Sequence, residues 1–161
     1  APGERVIEVT VPGRLTYRLE HVLLDFNGTL ALDGELLEGV AERLQAIGRQ
    51  MQVTIATADT FGTANTLEQR LGLKVHKIQP GGEDTQKAAL LERLGKERTV
   101  CIGNGANDVL MLSEASLGIC ILGREGAATE AMAASDLAFT DVRDALDLLL
   151  NPRRMIAGLR R

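Results

Sequence analysis

Val22-Leu23-Leu24-Asp25-Phe26-Asn27-Gly28-Thr29-Leu30 is the stretch that decides how this chain folds. Three aliphatic residues run into an aspartate, then an Asn-Gly pair and a threonine. A short apolar run stopped by turn residues predicts a strand covered on both faces. Asp25 then stands at the strand's carboxyl end, where open α/β sheets gather their chemistry. Gly28 lets the backbone turn sharply, so neighbouring N–H groups can face an anion. A carboxylate so placed can serve as a nucleophile or a metal ligand, and in phosphoryl transfer as both.

Outward from this strand, helical and extended patterns alternate. Upstream, residues 5–11 and 15–19 predict an N-terminal β-hairpin around Pro12-Gly13. Downstream, Leu36, Leu37, Val40, Leu44 and Ile47 repeat with a helical period and predict a helix over 34–47. Strands follow at 51–56, 75–78, 99–102, 118–122 and 137–139. Helices follow at 61–71, 106–115 and 126–134, and one more, capped by Asp84 or Thr85, runs to Leu94. The last helical part starts at Asp141 and breaks near Pro152. Such alternation implies an α/β fold: a three-layer, Rossmann-like parallel sheet with helices on both faces, in a single domain spanning 1–161.

The composition narrows the function classes. Hydrophobic residues make up 45%, enough for a sizeable core, but aromatics only 2%, so aliphatic side chains must build it. So few rings argue against a single-strand nucleic-acid platform, which stacks bases on aromatics. The net charge of −4 implies no broad basic surface. Arg153, Arg154, Arg160 and Arg161 read as the solvated end of a last helix, where cations favour the dipole. Cys101 and Cys120 fall in predicted strands, and two cysteines do not suggest a disulfide scaffold. No apolar leader is visible, and the apolar stretch 109–122 is interrupted by Glu114 and Gly118. The expectation is a cytoplasmic protein with neither a nucleic-acid nor a membrane partner.

Four places carry residues suited to chemistry. They are Asp25, Asn27 and Thr29 after the first sheet strand; Thr57-Ala58-Asp59 after the second; Lys87 in the first turns of a helix; and Gly103-Asn104-Gly105-Ala106-Asn107-Asp108. Singly, each has a plain explanation: a strand stop, a helix cap, a solvated lysine, a turn. The glycine pair half-matches a dinucleotide fingerprint, but Asp108 stands where the last glycine belongs and the motif comes late in the chain. Loops at the carboxyl ends of one parallel sheet can, however, converge on one crevice.

In this order the four motifs resemble the haloacid-dehalogenase-like superfamily, over residues 22 to about 139. The nearest flavour is the phosphorylation domain of P-type ATPases, whose DKTGTL, TGD and GDGxND correspond to Asp25–Leu30, Thr57–Asp59 and Gly103–Asp108 here. The resemblance implies that Asp25 attacks a phosphoryl group and becomes an aspartyl phosphate. It implies Mg²⁺ held by Asp25, the backbone carbonyl of Asn27, Asn104 and Asp108, and phosphoryl oxygens held by Gly28, Thr57, Ala58 and Lys87. The substrate would be phosphorylated, of unknown identity.

Two departures from the family pattern stand out. Family phosphatases usually carry an acid where Asn27 stands, and an amide cannot do general acid–base work, worth roughly 10²–10⁴-fold. Asn104 replaces a ligating aspartate, so weaker Mg²⁺ binding is expected. There is also no room for a cap domain between the motifs, which leaves the site open and wet. Either a homo-oligomer covers it or the substrate is itself large. The sequence therefore reads as a slow Mg²⁺-dependent phosphohydrolase. The rival is a non-catalytic binding or regulatory subunit that kept Asp25, Thr57, Lys87 and Asp108. A signalling receiver fits poorly, because receivers place an acid pair after the first strand.

Overall fold

The computed structural model describes residues 6–58 and 63–161. The chain opens with an antiparallel hairpin of β1 (Ile7–Thr10) and β2 (Thr16–Leu19), whose alternate residues Ile7, Val9, Tyr17 and Leu19 are buried. β3 (His21–Asp25) follows, then a small hairpin of β4 (Ala31–Leu32) and β5 (Glu35–Leu36). α1 (Val40–Gly48), β6 (Gln52–Thr57), α2 (Thr63–Leu71), β7 (Lys74–Lys77) and α3 (Glu83–Leu94) come next. After β8 (Thr99–Gly103), a short 3₁₀ turn (Ala106–Asp108) leads into α4 (Val109–Glu114). β9 (Leu117–Ile121), α5 (Thr129–Ala134), β10 (Leu137–Phe139), α6 (Val142–Leu150) and α7 (Arg154–Leu159) complete the chain.

The main sheet has six parallel strands in the order β10-β9-β8-β3-β6-β7. Its strands read as apolar runs because both faces are covered. Val22 and Leu24 belong to the core beneath α1, α6 and α7, and Leu23 to the core beneath α3, α4 and α5. The chain runs outward from β3 through β6 to β7, then returns to β8 on β3's other side. Strand order therefore reverses beside β3, and an open sheet has its crevice at that switch point. Asp25 is the last residue of β3 and pairs in register with Ala56 of β6.

This is the fold class expected from the sequence, with three corrections. Residues 34–47 are not one helix: 31–36 form the β4–β5 hairpin, and α1 begins only at Val40. The hairpin turn is Asp33-Gly34, both at positive φ (52° and 81°), the geometry a two-residue turn needs to match strand twist. Neither Asp84 nor Thr85 caps α3. The helix starts at Glu83 after Gly82, and the Thr85 hydroxyl donates back to the Gly82 carbonyl at 2.8 Å. The helices expected at 106–115 and 126–134 are shorter, because the first opens as a 3₁₀ turn and the second starts at Thr129. Asp59 and the start of the helix at Phe61 lie outside the described residues. Between β3 and β6 stand only a hairpin and α1, and between β6 and α3 only α2 and β7 among the described residues, so no cap domain interrupts the motifs.

Candidate active site

Asp25, Asn27, Thr57, Ala58, Lys87 and Asn104 line one crevice of about 300 Å³ at the carboxyl edge of the sheet. They arrive on four supports. Asp25 ends β3 and Thr57 ends β6, so both are held by the ladder itself. Asn104 begins the loop after β8, and Lys87 reaches in from the second turn of α3.

Three charged side chains form the centre. Lys87 Nζ donates to Asp25 Oδ1 at 3.1 Å and to Asp108 Oδ1 at 2.7 Å. Lys87 is 3% exposed, Asp108 0% and Asp25 14%, so Asp25 alone of the three meets solvent appreciably. Burial works to lower the lysine's pKa, but Asp25 and Asp108 outweigh it, and the ammonium is held firmly charged. The Asp25 carboxyl is pushed up to about 7, by burial first and by the charge of Asp108 second, with Lys87 pulling the other way. Two carboxylates thus face one ammonium, and the cluster is short of one positive charge.

Asp108, expected as a metal ligand, is hydrogen-bonded through both carboxylate oxygens. Its Oδ2 accepts the backbone N–H groups of Asn104 and Gly105 at 3.0 and 3.1 Å, while Oδ1 is bound to Lys87. Both oxygens are engaged beneath the crevice, and Asp108 does not line it. It shapes the loop and anchors the lysine. Gly103 makes room for it: a Cβ there would sit 2.6 Å from Asp108 Cγ.

Gly28 also lies apart from the expected phosphate-binding set. At φ +80° it lines a second recess of about 440 Å³, shared with Thr29, Leu37, Arg124 and Arg143, on the far side of the Asp25 loop. A Cβ on Gly28 would come 2.4 Å from Asn104 Nδ2, so the glycine lets two loops close on each other. Thr29 Oγ1 bridges them, 3.5 Å from Asp25 Oδ2 and 3.3 Å from Asn104 Oδ1.

Two crevice residues were not anticipated as functional. Asn107 Oδ1 lies 3.4 Å from Lys87 Nζ, and its amide donates to Glu83 Oε2 at 2.8 Å. Asn107 stood within the Gly103–Asp108 motif and was legible there. Glu83 carries no motif signal, and only the entry angle of α3 brings it in.

Fold and strand order define a class: the chain has a haloacid-dehalogenase-like α/β fold, with no cap domain among the described residues. The chain belongs to the same family as the uncharacterized protein MJ0073 of Methanocaldococcus jannaschii, at 45% identity over 92 residues, 55% of this chain and 99% of that protein. A soluble P-type ATPase-like phosphatase of the same organism is 26% identical over 123 residues, 74% of this chain; the chain spans 45% of that relative's length. Among solved structures, 3-deoxy-D-manno-octulosonate 8-phosphate phosphatase from Moraxella catarrhalis, in complex with magnesium, phosphate and KDO, superposes with a TM-score of 0.67. That match is 20% identical and covers 87% of this chain and 90% of the other. No family model matches the chain.

Proposed function

We propose that this chain is a divalent-metal-dependent phosphohydrolase that works through an aspartyl phosphate on Asp25. One observation carries the reading: a carboxylate at the switch point of the sheet, open to a crevice, is gripped by a buried lysine that a second, fully buried aspartate holds in place. A lone solvated lysine would not be built this way.

The donors suit a hard cation. Asp25, Asn27 and Asn104 offer only oxygen ligands on one wall, and the cluster is one positive charge short of neutral. Mg²⁺ is our choice, held by Asp25, Asn27 and Asn104. Such an ion, when bound, supplies charge that draws the phosphoryl oxygens towards the carboxylate. Among the described residues no group of three His, Cys, Asp or Glu side chains gathers to hold a metal, so two of the three ligands are neutral amide oxygens.

The chain's own groups do the rest. An Asp25 oxygen attacks phosphorus in line and the leaving oxygen departs towards the open side. Lys87 screens the repulsion between the incoming anion and Asp25, an electrostatic role that a partly dry site strengthens. Thr57 and the backbone at Ala58 hold the phosphoryl oxygens. Water then attacks phosphorus and frees Asp25. The Asn27 amide can take part in neither proton transfer, so the leaving group departs without an acid from that position and turnover is slow. Among the described residues nothing forms a lid over the crevice, and a second copy of the chain or a bulky substrate covers it. Light scattering that finds only monomers at high concentration would remove the first option.

Hydrolysis of p-nitrophenyl phosphate with and without Mg²⁺ tests the activity. Slow release that depends on the metal and is lost in Asp25→Asn supports it. Release that survives in Asp25→Asn belongs to another group or a contaminant, and the absence of any release favours a non-catalytic binding subunit.

A further inference from the structure

Hydrolysis of an acyl phosphate needs somewhere for the water's proton to go. Asn27, Thr57 and Ala58 offer no basic group, and Lys87 is kept charged by its two carboxylates. Asp25 itself carries the phosphoryl group at that stage, and Asp108 is sealed beneath the lysine. Of the described residues lining the crevice, Glu83 is the one remaining carboxylate.

Its surroundings fix it in place. Glu83 is the first residue of α3 and half-buried. Its Oε2 accepts from Asn107 Nδ2 at 2.8 Å, and Asn107 Oδ1 is 3.4 Å from Lys87 Nζ, which in turn is 3.1 Å from Asp25. Oε1 accepts no hydrogen bond among the described residues. One oxygen is therefore anchored and the other is available to a molecule in the crevice.

We infer that Glu83 is the base of the second half-reaction and takes over the acid–base work that Asn27 cannot do. The inference rests on the phosphoryl-transfer reading above. A water oxygen bonds to phosphorus, the bond from phosphorus to the Asp25 oxygen breaks, and Asp25 leaves as a carboxylate. The water's proton moves to Glu83 Oε1 and from there to solvent, and inorganic phosphate departs.

The test uses the full chain with Mg²⁺ and acetyl phosphate as donor, a rapid desalting step, and intact-mass spectrometry of the phosphoenzyme over time. Glu83→Gln keeps an oxygen that can accept from Asn107 but loses the base. It should slow decay on the order of 100-fold, far more than it slows formation. Asn27→Asp added to that variant should restore fast decay. Wild-type decay in Glu83→Gln overturns the inference. So does a defect seen only in Glu83→Ala, which would mean that Glu83 merely positions Asn107. Equal slowing of formation and decay overturns it as well. A wild-type chain that never gains phosphate is a separate result: it defeats the underlying reading and this inference with it.

Discussion

Replacing Asp25 with asparagine should make the metal-free protein more stable at neutral pH. The Asp25 carboxyl is raised from its ordinary value of 3.8 to about 7, by burial and then by Asp108. Between those two values the folded chain keeps a proton that the unfolded chain has lost. The stability tied to this group is therefore complete below the lower value and drains away as pH rises through the upper one. The free energy separating the two values is about 4 kcal/mol, an upper limit on what ionising Asp25 costs the fold. Asparagine has nearly the same shape and no charge, so it escapes that cost while it keeps an oxygen for Lys87. At about 2–4 °C per kcal/mol for a chain of this length, Asp25→Asn should melt several degrees higher at pH 8, up to about 16 °C. At pH 4 the two proteins should melt together. Circular dichroism melts in EDTA at both pH values measure this, and added Mg²⁺ should then raise the wild-type melting point but not the variant's. A lower melting point for Asp25→Asn at pH 8, or the same gain at both pH values, refutes the reasoning.

Three further outcomes follow from the same geometry. Lys87→Met leaves Asp108 buried without its cation and should cost about 3–5 kcal/mol in urea unfolding, the usual penalty for breaking a buried pair from one side. Gly103→Ala drives a Cβ into Asp108 and should cost about 1–3 kcal/mol in the same assay, whereas Gly105→Ala, whose nearest neighbour is 3.3 Å away, should cost less. Asn104→Asp adds a charged oxygen to the crevice wall and should tighten Mg²⁺ binding about tenfold by titration calorimetry.

The layer order was legible because parallel strands buried on both faces leave apolar runs, and Val22–Leu24 and Val100–Ile102 are such runs. Asp25 and Thr57 could be placed at one sheet edge because each ends an apolar strand, whereas Lys87 joined them only through the family resemblance, since a lone helix lysine reads as solvated. The β4–β5 hairpin was missed because Leu36, Leu37 and Val40 fit a helical period as well, and the Asp33-Gly34 pair was the stronger local signal. Asp108 could be placed in the site but not beneath it, because only the folded loop shows both of its oxygens already engaged. Glu83 and the Gly28–Arg143 recess left no sequence trace, because each depends on how separate loops meet in space.

Whether Asp25 takes up phosphorus can be read directly. The full chain is incubated with Mg²⁺ and acetyl phosphate, quenched in acid, digested with a protease active at low pH, and sequenced by tandem mass spectrometry. The expected result is an added phosphoryl mass on the peptide spanning residues 22–30, located on Asp25 and absent from Asp25→Asn. Phosphate found elsewhere, or none at all while Mg²⁺-dependent hydrolysis proceeds, would contradict covalent catalysis by this carboxylate.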